Sequence, residues 1–87
     1  MNCYNIMTLI LNNRIKNAVK LQEVLTESGC IIKTRLGLHE AGDVCTNEGL
    51  IILQLTGTSE GIEALEKKLN TVEGVKAKNV QICSDWQ

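Results

Sequence analysis

From Tyr4 the chain runs Tyr4-Asn5-Ile6-Met7-Thr8-Leu9-Ile10-Leu11, a stretch of β-formers that predicts a strand. Asn12-Asn13 then offers turn chemistry and a helix cap. Beyond Arg14, Ile15, Ala18, Val19, Leu21 and Leu25 fall at helical spacing, with Gln22 inside that stripe and Val24 outside it. Ser28-Gly29 stops the helix, with Gly29 expected as a left-handed C-terminal residue. From Ile31 to Leu38 the pattern alternates, so Ile32, Thr34, Leu36 and Leu38 are expected on one face and Lys33, Arg35 and His39 on the other. A polar loop covers His39 to Gly49, longer than a tight hairpin connection. Leu50 to Leu55 is apolar on both faces, the mark of a central strand. Thr58 or Ser59 caps a second helix whose stripe is Ile62, Leu65, Leu69 and Val72, and Gly74 ends it. The last strand runs from Val75 to about Cys83. Its phase slips, and a bulge near Lys78-Asn79 would return Val80 and Ile82 to the face of Val75 and Ala77.

The order β-α-β-β-α-β predicts an α+β, ferredoxin-like domain spanning 1–87: a four-stranded antiparallel sheet of order 4-1-3-2 with two helices on one face. Helices then cover one face only. Yet the third strand has Ile51, Leu53 and Leu55 on one side and Leu50 and Ile52 on the other, and the first has Ile6 and Ile10 opposite Met7, Leu9 and Leu11, so one aliphatic face is left uncovered. An aliphatic face of that kind calls for a partner, and a homodimer or homotetramer through the helix-free sheet face or an edge strand is the economical expectation.

Composition narrows the function classes. There is no Phe, and Tyr4 and Trp86 are the only aromatics, so a base-stacking platform or aromatic pocket is not expected. A net charge of −1 lacks the basic footprint of a nucleic-acid binder, so no direct nucleic-acid contact is expected. No apolar run reaches membrane-span length, and Met1-Asn2-Cys3-Tyr4-Asn5 lacks a basic signal region, so a cytoplasmic protein away from membranes is expected. The four cysteines, at 3, 30, 45 and 83, are enough for two disulfides, but their even scatter and the aliphatic patterning read as a cytosolic protein with reduced thiols.

The chemistry on offer is sparse. With the start of the first strand, the end of the fourth and the 39–48 loop expected at one end of the sheet, Cys3, His39, Cys45 and Cys83 would gather there as a candidate thiophilic metal site. Cys30 would lie at the opposite end. No pair has CxxC spacing, and cysteine in strands commonly acts as a small hydrophobe. His39 is the lone histidine, and no nucleophile, base and orienting group assemble around it, so catalysis is not expected. Gly37 and Gly42 do not form a phosphate loop, and no motif names a cofactor.

Asn13-Arg14 before the first helix, Ile31-Ile32-Lys33-Thr34-Arg35-Leu36-Gly37, the aliphatic third strand and Gly74-Val75-Lys76-Ala77-Lys78-Asn79-Val80 carry a resemblance over nearly the full length. On them the chain resembles the small bacterial iron-only (FeFe) hydrogenase system regulators, an ACT-like family akin to the ligand-binding domain of nickel-responsive regulators. After Gly37 a proline-containing turn of that family is replaced by Leu38-His39-Glu40-Ala41-Gly42-Asp43-Val44-Cys45, with a longer loop. The resemblance implies regulation by a small effector bound near the first strand-helix turn, here Asn12, Asn13 and Arg14. Helix N-terminal amides beside Arg14 suit a carboxylate; the plainer reading is that the asparagines only cap the helix.

The expectation is therefore a regulatory or sensor domain that acts as an oligomer on a small ligand or protein partner, with direct transcriptional control needing another chain. A metal- or redox-responsive protein using Cys3, His39, Cys45 and Cys83 is the alternative. A cofactor-free enzyme of the dimeric α+β-barrel kind is a third, short of side chains to line a pocket.

Overall fold

The computed structural model describes residues 2–12, 14–38 and 48–86. Its elements follow in the order β1 (Asn2–Leu11), α1 (Arg14–Glu27), β2 (Ile32–Leu38), β3 (Gly49–Leu55), α2 (Ser59–Asn70) and β4 (Val75–Ser84). The sheet order is β2-β3-β1-β4 with every neighbouring pair antiparallel, the expected 4-1-3-2 arrangement read from the other edge. The two doubly apolar strands, β1 and β3, are the central pair because only there can both strand edges be hydrogen-bonded and one face wholly enclosed.

The core lies between the sheet and the two helices. Met7, Leu9 and Leu11 from β1 interleave with Ile51, Leu53 and Leu55 from β3, and the helices close over them with Leu21, Val24, Leu25, Ile62, Leu65 and Leu69. Met7, Leu21, Leu53 and Leu69 have no exposed surface at all. Each such side chain removed from water stabilises the fold by roughly 1.5–3 kcal/mol, which an all-aliphatic core of this size must accumulate without aromatic help. The second helix follows its sequence pattern closely: the Thr58 hydroxyl accepts from the Gly61 N–H at 3.1 Å, and the buried stripe is the expected Ile62, Leu65, Leu69 with Val72 beyond the helix end.

The first helix departs from its pattern. Val24 is buried and Val19 is 69% exposed, the reverse of the expectation. Ala18, Leu21, Val24 and Leu25 form the stripe that meets the sheet. Gln22 stays exposed and accepts a hydrogen bond from the Arg35 guanidinium at 2.7 Å, tying α1 to the edge strand β2. Apolar residues at 15, 18 and 19 make the helix apolar over a wide arc, and the sheet selects only a narrow part of it. Gly29 is not left-handed either; among the described residues Gly57 and Gly74 are the glycines at positive φ, 110° and 80°.

The irregularity expected in β4 sits in β2. β4 pairs with β1 without a break from Val75↔Leu11 to Ser84↔Asn2, so Val80 and Ile82 remain on the face opposite Val75 and Ala77. In β2 the register shifts between Ile32 and Thr34, which turns Ile32 towards the core while Thr34 and Leu36 face away from the helices. A bulge inserts one unpaired residue and so flips the facing of everything on one side of it.

Side chains of α2 occupy the free edge of β4. Asn70 donates to the Ala77 carbonyl at 3.0 Å and accepts from the Ala77 N–H at 2.8 Å, and a Glu66 carboxylate oxygen accepts from the Asn79 N–H at 2.6 Å. The middle of this edge strand therefore has its outward backbone groups satisfied from within the chain, a protection against edge-to-edge pairing.

Candidate functional site

Two regions carry the candidate residues, and they stand at opposite ends of the sheet. Asn5 of β1 pairs with Leu55, the last residue of β3, and Leu11 pairs with Gly49, the first. The strand ends that lead into the 39–48 loop, Leu38 and Gly49, therefore lie beside the end of β1, not its start. Cys3 lies eight residues back along β1, about 26 Å away at strand rise. This overturns the expectation that the end of β2 and the start of β3 lie at the same end of the sheet as Cys3 and Cys83. Antiparallel pairing of β1 with β3 reverses the chain, so the start of β3 must adjoin the end of β1. By the same pairing Cys30, just before β2, lies towards the Cys3–Cys83 end and not opposite it.

At the terminal end, Cys3 and Cys83 are register partners joined in a disulfide, with Cα atoms 4.0 Å apart. The reading of all four cysteines as reduced thiols fails for this pair, because cross-strand neighbours in the closer of the two antiparallel spacings hold their sulfurs within bonding reach. Bonded sulfurs supply no thiolate to a metal. Cys30 is a free, exposed thiol. His39 and Cys45 lie outside the described residues, and among the described residues no three Cys, His, Asp or Glu side chains converge as a metal site.

At the other end, the β1–α1 turn packs against the turn before β4. The Asn12 N–H donates to the Gly74 carbonyl at 2.7 Å, and the Asn17 side-chain amide donates to the Asn12 carbonyl at 2.9 Å. Gly74 is held so close that an added Cβ would meet Asn12 O at 2.9 Å as well as the Asn17 amide nitrogen. Beside this knot a cleft of about 400 Å³ is lined by Ile10, Asn12, Glu48, Gly74, Val75 and Lys76. Of the three candidate ligand residues, Asn12 lines the cleft and Arg14 begins α1; Asn13 lies outside the described residues. The Lys76 ammonium, the Asn12 amide and the Glu48 carboxylate together can hold a small ligand that carries an acid and a hydrogen-bond donor.

A third feature is the sheet face away from the helices. Tyr4, Leu36, Val80 and Ile82 are 49%, 51%, 57% and 66% exposed, and Ile6, Ile10, Leu50 and Ile52 are half-buried among them. Register places Tyr4 opposite Ile82, Ile6 opposite Val80, and Ile52 opposite Leu36. Period-two counting along β4, followed strictly, would have found Val80 and Ile82; the assumed bulge hid them. A smaller polar cleft of about 170 Å³ opens on the helix side of β4, where the Asn79 amide donates to the side-chain carbonyl of the buried Asn5 at 3.0 Å.

Element order, sheet order and one-sided helices define a ferredoxin-like βαββαβ domain. Among solved structures the chain is similar to the uncharacterized protein TM1266 from Thermotoga maritima, at 26% identity over 94% of this chain and 100% of that one, with a TM-score of 0.80. It shares its fold with CPII, a nitrogen regulatory PII-like protein from Thiomonas intermedia K12 bound to ADP, AMP and bicarbonate, at 14% identity, 98% of each chain and a TM-score of 0.56. It also matches part of a formyltetrahydrofolate deformylase from Pseudomonas putida, at 10% identity over 88% of this chain but 28% of that one, with a TM-score of 0.55. No family model matches the chain, and no curated protein does. Among the described residues, no helix is long and apolar enough to cross a membrane.

Proposed function

We propose that the chain is a small regulatory domain that works as a homo-oligomer through its helix-free sheet face and binds a small effector or a protein partner, without catalysing a reaction. The observation that carries this reading is the open face itself. Four strands about 4.8 Å apart and some seven residues long make a face of about 400 Å², polar positions included, whose apolar part is Tyr4, Ile6, Ile10, Leu36, Leu50, Ile52, Val80 and Ile82. Thr34, Lys76 and Lys78 lie on the two edge strands, as at an interface rim, while Thr8 and Gln54 sit among the aliphatic positions of the central strands. Between the two surfaces considered for self-association, the face is favoured over the β4 edge, whose middle is occupied by Asn70 and Glu66.

The regulatory part is supported by the shared fold with a PII-like nitrogen regulatory protein, and the connection to an iron-only hydrogenase system by the sequence resemblance alone. An effector would occupy the cleft at Asn12, Gly74 and Lys76, beside the turn that the resemblance singles out. The test of assembly is sedimentation of the wild-type chain, Ile52→Asp and Val80→Asp at micromolar concentration. The wild type should sediment as a dimer or larger and both variants as monomers with unchanged circular dichroism. A monomeric wild type, or variants that assemble as it does, would refute the reading. For the cleft, titrating free amino acids should shift the backbone amide resonances of Asn12, Gly74 and Lys76; unmoved resonances would remove that site.

A further inference from the structure

The tip of the β1–β4 ribbon stands beyond the rest of the sheet. β3 ends at Leu55, opposite Asn5, so Asn2, Cys3 and Tyr4 have β4 as their only strand neighbour, through Ser84, Cys83 and Ile82. Asn2, Cys3, Tyr4, Gln81 and Ile82 are exposed, and besides the ladder pairing of β1 with β4 the tip is tied by the Asn2 backbone with the Ser84 hydroxyl, at 3.2 and 3.3 Å. A two-stranded ribbon with no third strand and no core beneath it is marginal in water. The disulfide is its one covalent tie. Both of the chain's aromatics are here: Tyr4 faces Ile82 on the open side of the sheet, and Trp86 follows the staple by three residues, 90% exposed.

We infer that Cys3–Cys83 is a redox latch: oxidised, it orders residues 2–4 against 82–84 and extends the apolar open face by Tyr4 and Ile82; reduced, it lets this tip fray while the core stays folded. The exposed position of Cys3 gives an attacking thiolate access to the bond, the condition for exchange. An external dithiol supplies two electrons and two protons: one of its thiolates attacks a protein sulfur, its second thiol resolves the mixed disulfide, and two protein thiols and the dithiol's disulfide result. A disulfide oxidant reverses the step. The core does not depend on the tip, since its residues from Met7 to Leu11 keep strand neighbours on both sides. A weaker self-association of the reduced form is a further consequence, and it rests on the open face being the assembly surface.

The test is amide hydrogen exchange on protein purified without reductant, before and after treatment with dithiothreitol, alongside the Cys3→Ser/Cys83→Ser variant. Alkylation before reduction should label Cys30, and should label Cys3 and Cys83 only after it. Reduction, or the double substitution, should speed exchange at Tyr4 and Ile82 at least tenfold and leave Leu9, Leu53 and Leu69 protected. Trp86 emission should follow the same change. Free thiols at Cys3 and Cys83 in protein kept under air, unchanged tip exchange on reduction, or loss of protection across the whole chain would each overturn the latch. Sedimentation of Ile52→Asp tests the assembly surface separately, so failure of one reading leaves the other distinguishable.

Discussion

The Asn12 backbone N–H donates to the carbonyl of Gly74 at 2.7 Å, locking the turn after the first strand to the turn before the last. These residues are far apart in sequence, yet the pairing of Leu11 with Val75 makes them neighbours. Gly74 is required twice over, by a φ of 80° and by the closeness of Asn12 O and the Asn17 amide. Gly74→Ala should therefore destabilise the fold by about 1–3 kcal/mol, since the strained backbone and the crowding act together. Urea unfolding of the two proteins measures the difference, and an Ala variant as stable as wild type would show that the knot relaxes freely.

Leu53 and Val19 separate the core from its apparent extension. Leu53 is fully buried in a central strand, so Leu53→Ala should cost about 2–5 kcal/mol, a large part of the total stability of a domain this size. Val19, 69% exposed on α1, should tolerate Ala within about 0.5 kcal/mol. Thermal unfolding of both variants checks the contrast.

Asn70 makes the edge of β4 unavailable. Asn70→Ala leaves the Ala77 N–H and carbonyl without their side-chain partner and should lower stability by about 1–2 kcal/mol. Exchange of the Ala77 amide should accelerate specifically. If it does not, the strand edge is protected by something other than this side chain.

The Lys68 ammonium, hydrogen-bonded to Glu27 at 2.7 Å, holds the Glu27 carboxyl below its ordinary value of 4.5. A carboxyl depressed in the folded state favours folding above its unfolded value, and that contribution disappears as pH falls through the folded value. Between neutral pH and about 4.5 the pair should be intact, and in more acid solution it should be lost. Because both side chains are exposed, added salt should weaken the effect. In Lys68→Ala, carbon-13 NMR titration should show Glu27 returning upward towards 4.5. A value that stays low would point to another cause.

Much of this architecture is written in local periodicity. The spacing 62-65-69-72 and the Thr58 cap define α2 because a helix on a sheet buries one stripe and its first turn needs an oxygen acceptor. The unbroken apolar run 50–55 marks a central strand, and the alternation of element types leaves few sheets to choose from. From these alone follow the βαββαβ domain, its sheet order and its uncovered face.

Tertiary structure decided what periodicity leaves degenerate. Whether Val80 and Ile82 point inwards depends on β4 running unbroken beside β1, and whether Ile32 does depends on a bulge in β2; both are outcomes of pairing between distant strands. At which end of the sheet β2 ends and β3 begins, which cysteines meet, and that Asn70 seals an edge follow from the same antiparallel reversals. Local sequence carries the period of each element, but the relative direction and register of two strands are set by contacts made across the whole chain. The uncovered face belongs to the first kind of information, and the Cys3–Cys83 bond to the second.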